Sequence, residues 1–183
     1  MIPRYSKKSI DNLLTGHPLL QILMLSVTLD GYDNKIEYGE RGEDLQNEMF
    51  DMGWTTLRYP DSNHNKKPDE KYVYAVDAVP YPVQWPDLDK VRKNPTIENL
   101  TEFKIRVARL YYFSGYVRAK AKALGIPIRQ GSDWNMNFVI RDQNFHDVPH
   151  IEIVRKKLTN SLINWSMTEV EVLWTQYREQ TRR

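Results

Sequence analysis

The chain of 183 residues contains no cysteine. Disulfides and thiolate metal sites are thereby excluded together, and any bound metal has to be held by His, Asp or Glu. Histidine is scarce too, with only His17, His64, His146 and His150 available. An excess of one charge is also lacking: 26 basic residues face 24 acidic ones, without the clustered basic surplus of a nucleic-acid binder. Long apolar runs are missing as well. The stretch from His17 to Leu29 is interrupted by Pro18 and Gln21 and falls short of the roughly 20 residues that span a bilayer. No small-x-small cleavage site follows it, and Asp30-Gly31-Tyr32-Asp33 reads as a turn, so neither an export signal nor stable membrane association is expected. What is present, 40% hydrophobic residues, suffices for one domain with a proper core and at most an appendage.

Punctuation by Gly and Pro divides the chain. Ser9 to Leu14 predicts a short helix stopped by Gly16, and Pro18 opens a second with Leu19, Leu20, Ile22, Leu23 and Val27 on its buried side. Lys35 to Tyr38 alternates as a strand, followed by a helix through Leu45, Met49 and Met52 to Gly53. Trp54 to Tyr59 is expected to be extended. Tyr72 to Val79 predicts a strand closed by Pro80 and Pro82. Asn94-Pro95 supplies a cap and a first-turn proline for a long helix with a Leu100, Phe103, Val107, Leu110, Val117, Ala121 and Leu124 stripe, ending at Gly125. Its Tyr111, Tyr112, Phe113 and Tyr116 are expected to pack. Ile126 to Arg129 and Phe138 to Ile140 predict short extended pieces. Ser166-Met167-Thr168-Glu169 has the spacing of a capping box and starts a final helix, with Arg178, Arg182 and Arg183 suiting its C-terminal dipole.

Chemistry concentrates in Phe145-His146-Asp147-Val148-Pro149-His150-Ile151-Glu152. Pro149 biases Val148 away from the helical region, so His146 and His150 are not two ligands on one helical face. As an extended segment, Ile151 and Ile153 share one side and His150 and Glu152 the other. A lone strand histidine serves either as a hydrogen-bonded structural residue or as a ligand. Asp77, inside an otherwise apolar strand, requires a cationic or metal partner if buried. His64 lies in a polar loop, whereas His17 suits a helix cap. Two histidines and one carboxylate, His64, Asp77 and His150, match the protein ligand count of catalytic zinc sites.

Taken together, Ser62-x-His64, Ala75-Val76-Asp77 and Asp147-x-Pro149-His150-x-Glu152 resemble the zinc signature of the D-alanyl-D-alanine carboxypeptidase and L-alanyl-D-glutamate peptidase family, nearest its tailed-phage endolysin branch. Further matches are His17-Pro18-Leu19-Leu20-Gln21, Gly39-x-Arg41 with Gln46, Asp77-Ala78-Val79-Pro80-Tyr81, and Leu124-Gly125-Ile126 through Arg129 to Gly131-x-Asp133-Trp134. They follow the family order over residues 5 to 155. The chain departs from the family in a longer His64-to-Asp77 interval, whose Asn65 to Lys71 insertion is expected to loop out. Val73 stands where a glycine is usual, and Gln130 where many relatives have an aromatic.

The resemblance implies an α+β fold of the Hedgehog and DD-peptidase type, a small mainly antiparallel sheet packed with helices, with a zinc site in a cleft. It implies Zn2+ on His64, Asp77 and His150, Asp147 as the catalytic carboxylate, and Arg41 stabilising negative charge. Ser62, Gln46, Asp133 and Trp134 fall at substrate-side or supporting positions, and Glu152 would orient a ligand or water. The expected domain is 1–155, with 156–183 a helical extension packed on it. The implied activity is hydrolysis of the L-alanyl-D-glutamate bond of peptidoglycan stem peptides, leading to lysis. D-Ala-D-Ala carboxypeptidase or dipeptidase activity, or an inactive zinc-stabilised wall-binding or virion module, remain alternatives at this stage. A monomer is expected, held in the host cytoplasm until a holin-type partner gives access to the wall, with no nucleic-acid partner.

Overall fold

A computed structural model describes residues 3–182, so the expectation for Arg183 lies outside the described residues. Helix α1 (Lys7–Thr15) is capped by Ser6 and ends at Gly16. Helix α2 (Pro18–Leu29) has the Pro at its first turn and His17 as its cap, with Nδ1 accepting from the Leu19 N–H at 3.2 Å. The α2 sequence is apolar nearly all round, and the fold buries it nearly all round, from Pro18 through Thr28. One buried side was expected. The remaining faces are covered because α2 lies between the sheet, α5 (Ile97–Ala123) and α6 (Asn160–Thr181).

The sheet contains β1 (Asn34–Tyr38), β2 (Ala75–Pro80), β3 (Ile128–Gly131) and β4 (Asp147–Ile153) in the order β1-β2-β4-β3, with every neighbouring pair antiparallel. Val76, Ala78, Ile151 and Ile153 point into the core. The opposite face brings Asp77 directly across from His150, and Arg129 across from Glu152. One register irregularity falls between Ile36 and Tyr38, beside Asp77, and another between Gln130 and Gly131, beside Asp147. Such bulges re-aim side chains at strand edges.

Several expected boundaries move. Helix α3 (Glu43–Asp51) ends before Gly53, whose positive φ of 74° turns the chain away. Trp54 to Tyr59 forms turns and bends instead of a strand. A short helix, α4 (Leu88–Lys93), was not anticipated, and it uses Asn94 as its own C-cap. The cap of α5 is consequently Thr96, whose side chain accepts from Asn99 N–H. Only the C-terminal part of the α5 stripe is buried in the core, through Val117 and Ala121, joined there by Phe113; Leu100 is exposed. Phe138 takes a left-handed φ of 66°, and Ile140–Asp142 is a 3-10 turn rather than an extended piece.

The largest correction concerns α6. It begins at Asn160 under a Thr159 cap, and Ser166 lies inside it, buried, with Oγ donating to Ile163 O at 2.7 Å. Serine back-bonds to the preceding turn as readily as it caps, so the capping-box spacing was ambiguous. Helix α6 is fastened to the rest of the fold by Trp174 Nε1, which donates to Gln21 Oε1 at 2.8 Å, and by the Tyr177 hydroxyl, which accepts from Tyr5 N–H at 2.6 Å. Among the described residues, no helix is long and apolar enough to cross a membrane.

Candidate metal centre and active site

His64 reaches the sheet from a clamped loop. Its backbone carbonyl accepts from Arg41 N–H at 2.8 Å, its N–H donates to Ser62 Oγ at 3.2 Å, and Asn65 Nδ2 donates to Arg41 O at 2.9 Å. Asn65 is therefore buried and part of the clamp rather than of the looped-out insertion, which leaves Lys66 to Lys71 as the outward segment. The His64 ring is buried, with Nδ1 2.7 Å from Gly39 O. A carbonyl only accepts, so this contact places the proton on Nδ1 and a lone pair on Nε2. Gly39 has to be glycine, because a Cβ there would overlap Asn12 O and Thr15 Oγ1.

His150 is oriented in the opposite sense. Its Nε2 lies 3.1 Å from Glu152 Oε2, while Nδ1 faces His64 Nε2 at 3.1 Å and Asp77 Oδ1 at 3.4 Å. Asp77 Oδ1 is 3.1 Å from His64 Nε2. Two imidazole nitrogens with their outer positions engaged thus aim at one point together with a carboxylate oxygen, all within 4.8 Å of one another. Facing lone pairs at that distance repel unless a proton or a metal cation lies between them. The donor set of two neutral nitrogens and one anionic oxygen, each supported by an outer partner, fits a divalent metal of the zinc type.

The surrounding charges are ordered around this point. Burial would raise the Asp77 carboxyl, but the charges and hydrogen bonds of His64, His150 and Arg41 hold it well below the usual range. Arg41 pairs with Asp77 Oδ2, and its Nε is buried without a partner among the described residues. For His150, burial opposes protonation, yet contacts with Asp77 and Glu152 push its pKa up to about 9, so a metal held at Nδ1 would take the place of a proton there. Burial likewise opposes the Glu152 charge, but His150, Asn63 and Arg129 bring its pKa down to about 2. Glu152 accepts from Asn63 Nδ2 at 2.7 Å and Arg129 Nε at 2.5 Å. Asp147 differs from these carboxylates. Its Oδ2 lies 4.0 Å from His150 Nδ1, and burial, helped by the Asp77 charge, raises its pKa to about 6. Gly131 permits this placement, since a Cβ there would overlap the Asp147 carbonyl.

A model of the phage L-alanyl-D-glutamate peptidase family matches residues 1–154. The chain belongs to this peptidase family. Among solved structures, the Serratia marcescens L-Ala D-Glu endopeptidase ChiX is similar at 19% identity, over 84% of this chain and 92% of that chain, with a TM-score of 0.47. A search of curated proteins gives no match.

Of the residues singled out in the peptidase sequence, His64, Asp77, His150, Asp147, Arg41 and Glu152 come together. Trp134 joins them, its ring 5.1 Å from that of His150 and its Nε1 donating to Phe145 O at 2.9 Å. Ser62 lies at the rim, engaged with the His64 backbone. Gln46 is fully buried, donating to Leu57 O at 2.6 Å, and Asp133 faces Arg118 at 2.5 Å; neither is brought to the triad. His146 contacts the Tyr111 hydroxyl at 3.1 Å, away from His150.

Two cavities flank the triad in this peptidase, and both touch Arg41, Phe145 and Asp147. One, of about 460 Å³, is of mixed lining and includes Thr55, Asn63 and Arg129; the other, of about 650 Å³, is mainly apolar and includes Trp54 and Trp85. Asn63 adjoins His64 in sequence but carries no signal of its own. Trp54 and Trp85 carried no periodic signal, because both lie in irregular segments.

Proposed function

We propose that the protein is a zinc-dependent endolysin that hydrolyses the L-alanyl-D-glutamate bond of the peptidoglycan stem peptide. His64 Nε2, Asp77 Oδ1 and His150 Nδ1 would hold the metal. When bound, zinc polarises the scissile carbonyl and lowers the pKa of coordinated water to about 7. Asp147 accepts the proton of the attacking water and returns it to the departing amine, a role suited by a carboxyl that burial raises to about 6. Arg41, anchored beside Asp77, presents its guanidinium to negative charge developing on the carbonyl oxygen. Glu152 fixes the His150 tautomer.

The observation that carries this reading is the convergence of His64, Asp77 and His150 with Asp147 Oδ2 4.0 Å from the His150 donor atom. Family membership supports the choice of bond. Digestion of purified peptidoglycan followed by mass spectrometry tests it: new L-alanine carboxyl and D-glutamate amino ends are expected, and release of free D-alanine would overturn the choice of bond.

The same reading makes the enzyme a monomer that waits in the host cytoplasm and reaches the wall after a holin-type partner permeabilises the membrane. It places residues 1–155 as the peptidase domain and 156–183 as an extension of the same folding unit, supported by the seating of α6 on α2.

A further inference from the structure

The two cavities beside the triad differ in chemistry. In the larger one, Trp54 is 62% exposed and Trp85 48% exposed. Isolated apolar residues at a surface are ordinary, but two indoles on one cavity that also touches Arg41, Asp77 and Asp147 form a contiguous feature of the site. Both are held in place by polar contacts of their backbone segments. The left-handed Gly53 turns the chain out of α3, and Trp54 N–H donates to Met49 O at 2.8 Å. The segment bearing Trp85 is tied to α5: Arg106 Nη1 donates to Trp85 O at 3.0 Å, and Arg109 Nη1 to Pro82 O at 3.0 Å and Gln84 Oε1 at 2.6 Å. The smaller cavity presents Arg129, with Thr55 and Asn63 as further hydrogen-bonding groups. Its indole, Trp134, is already packed on His150.

We propose that the aromatic cavity is the subsite for the pyranose ring that carries the stem peptide, the N-acetylmuramyl residue, with Trp54 and Trp85 as its specificity-determining pair. The inference rests on the peptidase reading of the adjoining site. In a stem peptide the L-alanine is amide-linked to the lactyl group of that sugar, so the ring lies one small residue from the scissile bond and belongs in a cavity touching Asp147. The glutamyl product side carries a free carboxylate, for which the exposed edge of the Arg129 guanidinium, whose Nε and Nη2 already pair with Glu152, is a hydrogen-bonding partner at the other end. The indole pair on one side and the hydrogen-bonding groups Arg129, Thr55 and Asn63 on the other set the proposed direction of the substrate across the triad. A pyranose presents a flat array of C–H bonds, and a rigid indole offers a large amphipathic contact at small entropic cost. The volume of about 650 Å³ lies within the size of small-ligand pockets.

The test compares two substrates on the zinc-loaded enzyme, N-acetylmuramyl-L-alanyl-D-glutamyl-lysine and the sugar-free L-alanyl-D-glutamyl-lysine with its amino end acetylated. The wild type is expected to favour the muramyl substrate in kcat/KM. Trp54→Ala and Trp85→Ala should each reduce that preference by about tenfold, mainly through KM, and Trp→Tyr at either position should restore part of it. Equal losses on both substrates, or no preference in the wild type, would overturn the subsite. If the wild type cleaves neither compound, the peptidase reading fails separately. Calorimetric titration of the two compounds then decides the subsite: tighter binding of the muramyl compound that disappears in Trp85→Ala supports it, and equal affinities sink it.

Discussion

Glu152 Oε2 lies 3.1 Å from His150 Nε2, and that contact determines which nitrogen of His150 faces His64. Arg129 and Asn63 complete the carboxylate's hydrogen bonds, so Glu152 is itself held in position. Partners that orient a ligating histidine typically contribute 10- to 100-fold in metal affinity. Glu152→Gln keeps the size and one acceptor but removes the charge. We expect zinc affinity to fall by about tenfold with the fold retained, measured by chelator competition and circular dichroism. Unchanged affinity would remove Glu152 from the metal site.

Asp147 is half-buried beside the buried Asp77, and the opposite pKa direction separates their roles. Asp77 is surrounded by His64, His150 and Arg41 and stays anionic, whereas Asp147 is raised to about 6 by burial and by the Asp77 charge. Asp147→Asn should bind zinc with wild-type stoichiometry and lose about 10²- to 10⁴-fold in kcat, the usual contribution of general acid–base catalysis. Atomic absorption on the purified variant, alongside a peptidoglycan turbidity assay, separates the two effects. A variant that hydrolyses at near wild-type rate would exclude Asp147 as the proton carrier.

Much of this centre was legible because strand alternation is strict. Once Pro149 excluded a helix, His150 and Glu152 had to share one face and Ile151 and Ile153 the other, as they do. Asp77 announced itself by polarity in an apolar run. The pairing of Asp77 with His150 was not legible, since register depends on contacts between strands distant in sequence. Nor was the orientation of His64, which depends on a carbonyl at Gly39 that no side-chain pattern reveals. Helix ends failed for a different reason. Asn94-Pro95 and Ser166 both carry residues that cap helices, and the choice of Thr96 and Thr159 instead was made by tertiary packing and by the unforeseen α4.

Trp174 provides the test of whether α6 is integral to the fold. Its side chain is 6% exposed, contacts Tyr177 edge-on at a centroid distance of 5.8 Å, and donates to Gln21 Oε1 on the central helix. Truncation removes packing and leaves a buried amide oxygen without a donor, so Trp174→Ala should cost about 3–5 kcal/mol. Urea denaturation would report this as a lower midpoint. A change below about 1 kcal/mol would mean that α6 folds on the surface without supporting α2, and the proposed extension would then be dispensable.

His17 gives the fold a pH dependence separate from the candidate metal centre. It caps α2 through Nδ1, stacks on Tyr74 at 5.3 Å between centroids, and is held neutral by burial, with the nearby Arg155 charge assisting; its pKa falls to about 4. Because the folded pKa lies below the ordinary value of 6.5, the unfolded chain takes up a proton first as the medium is acidified. The stability associated with neutral His17 is therefore complete above pH 6.5, declines between 6.5 and about 4, and is lost below that. His17→Asn retains a capping oxygen but cannot titrate there. Its unfolding free energy should be lower at neutral pH, where the stacking is missed, and should fall less steeply than the wild type between pH 6.5 and 4. Parallel denaturation profiles for the two proteins across that window would show that His17 does not set the acid sensitivity.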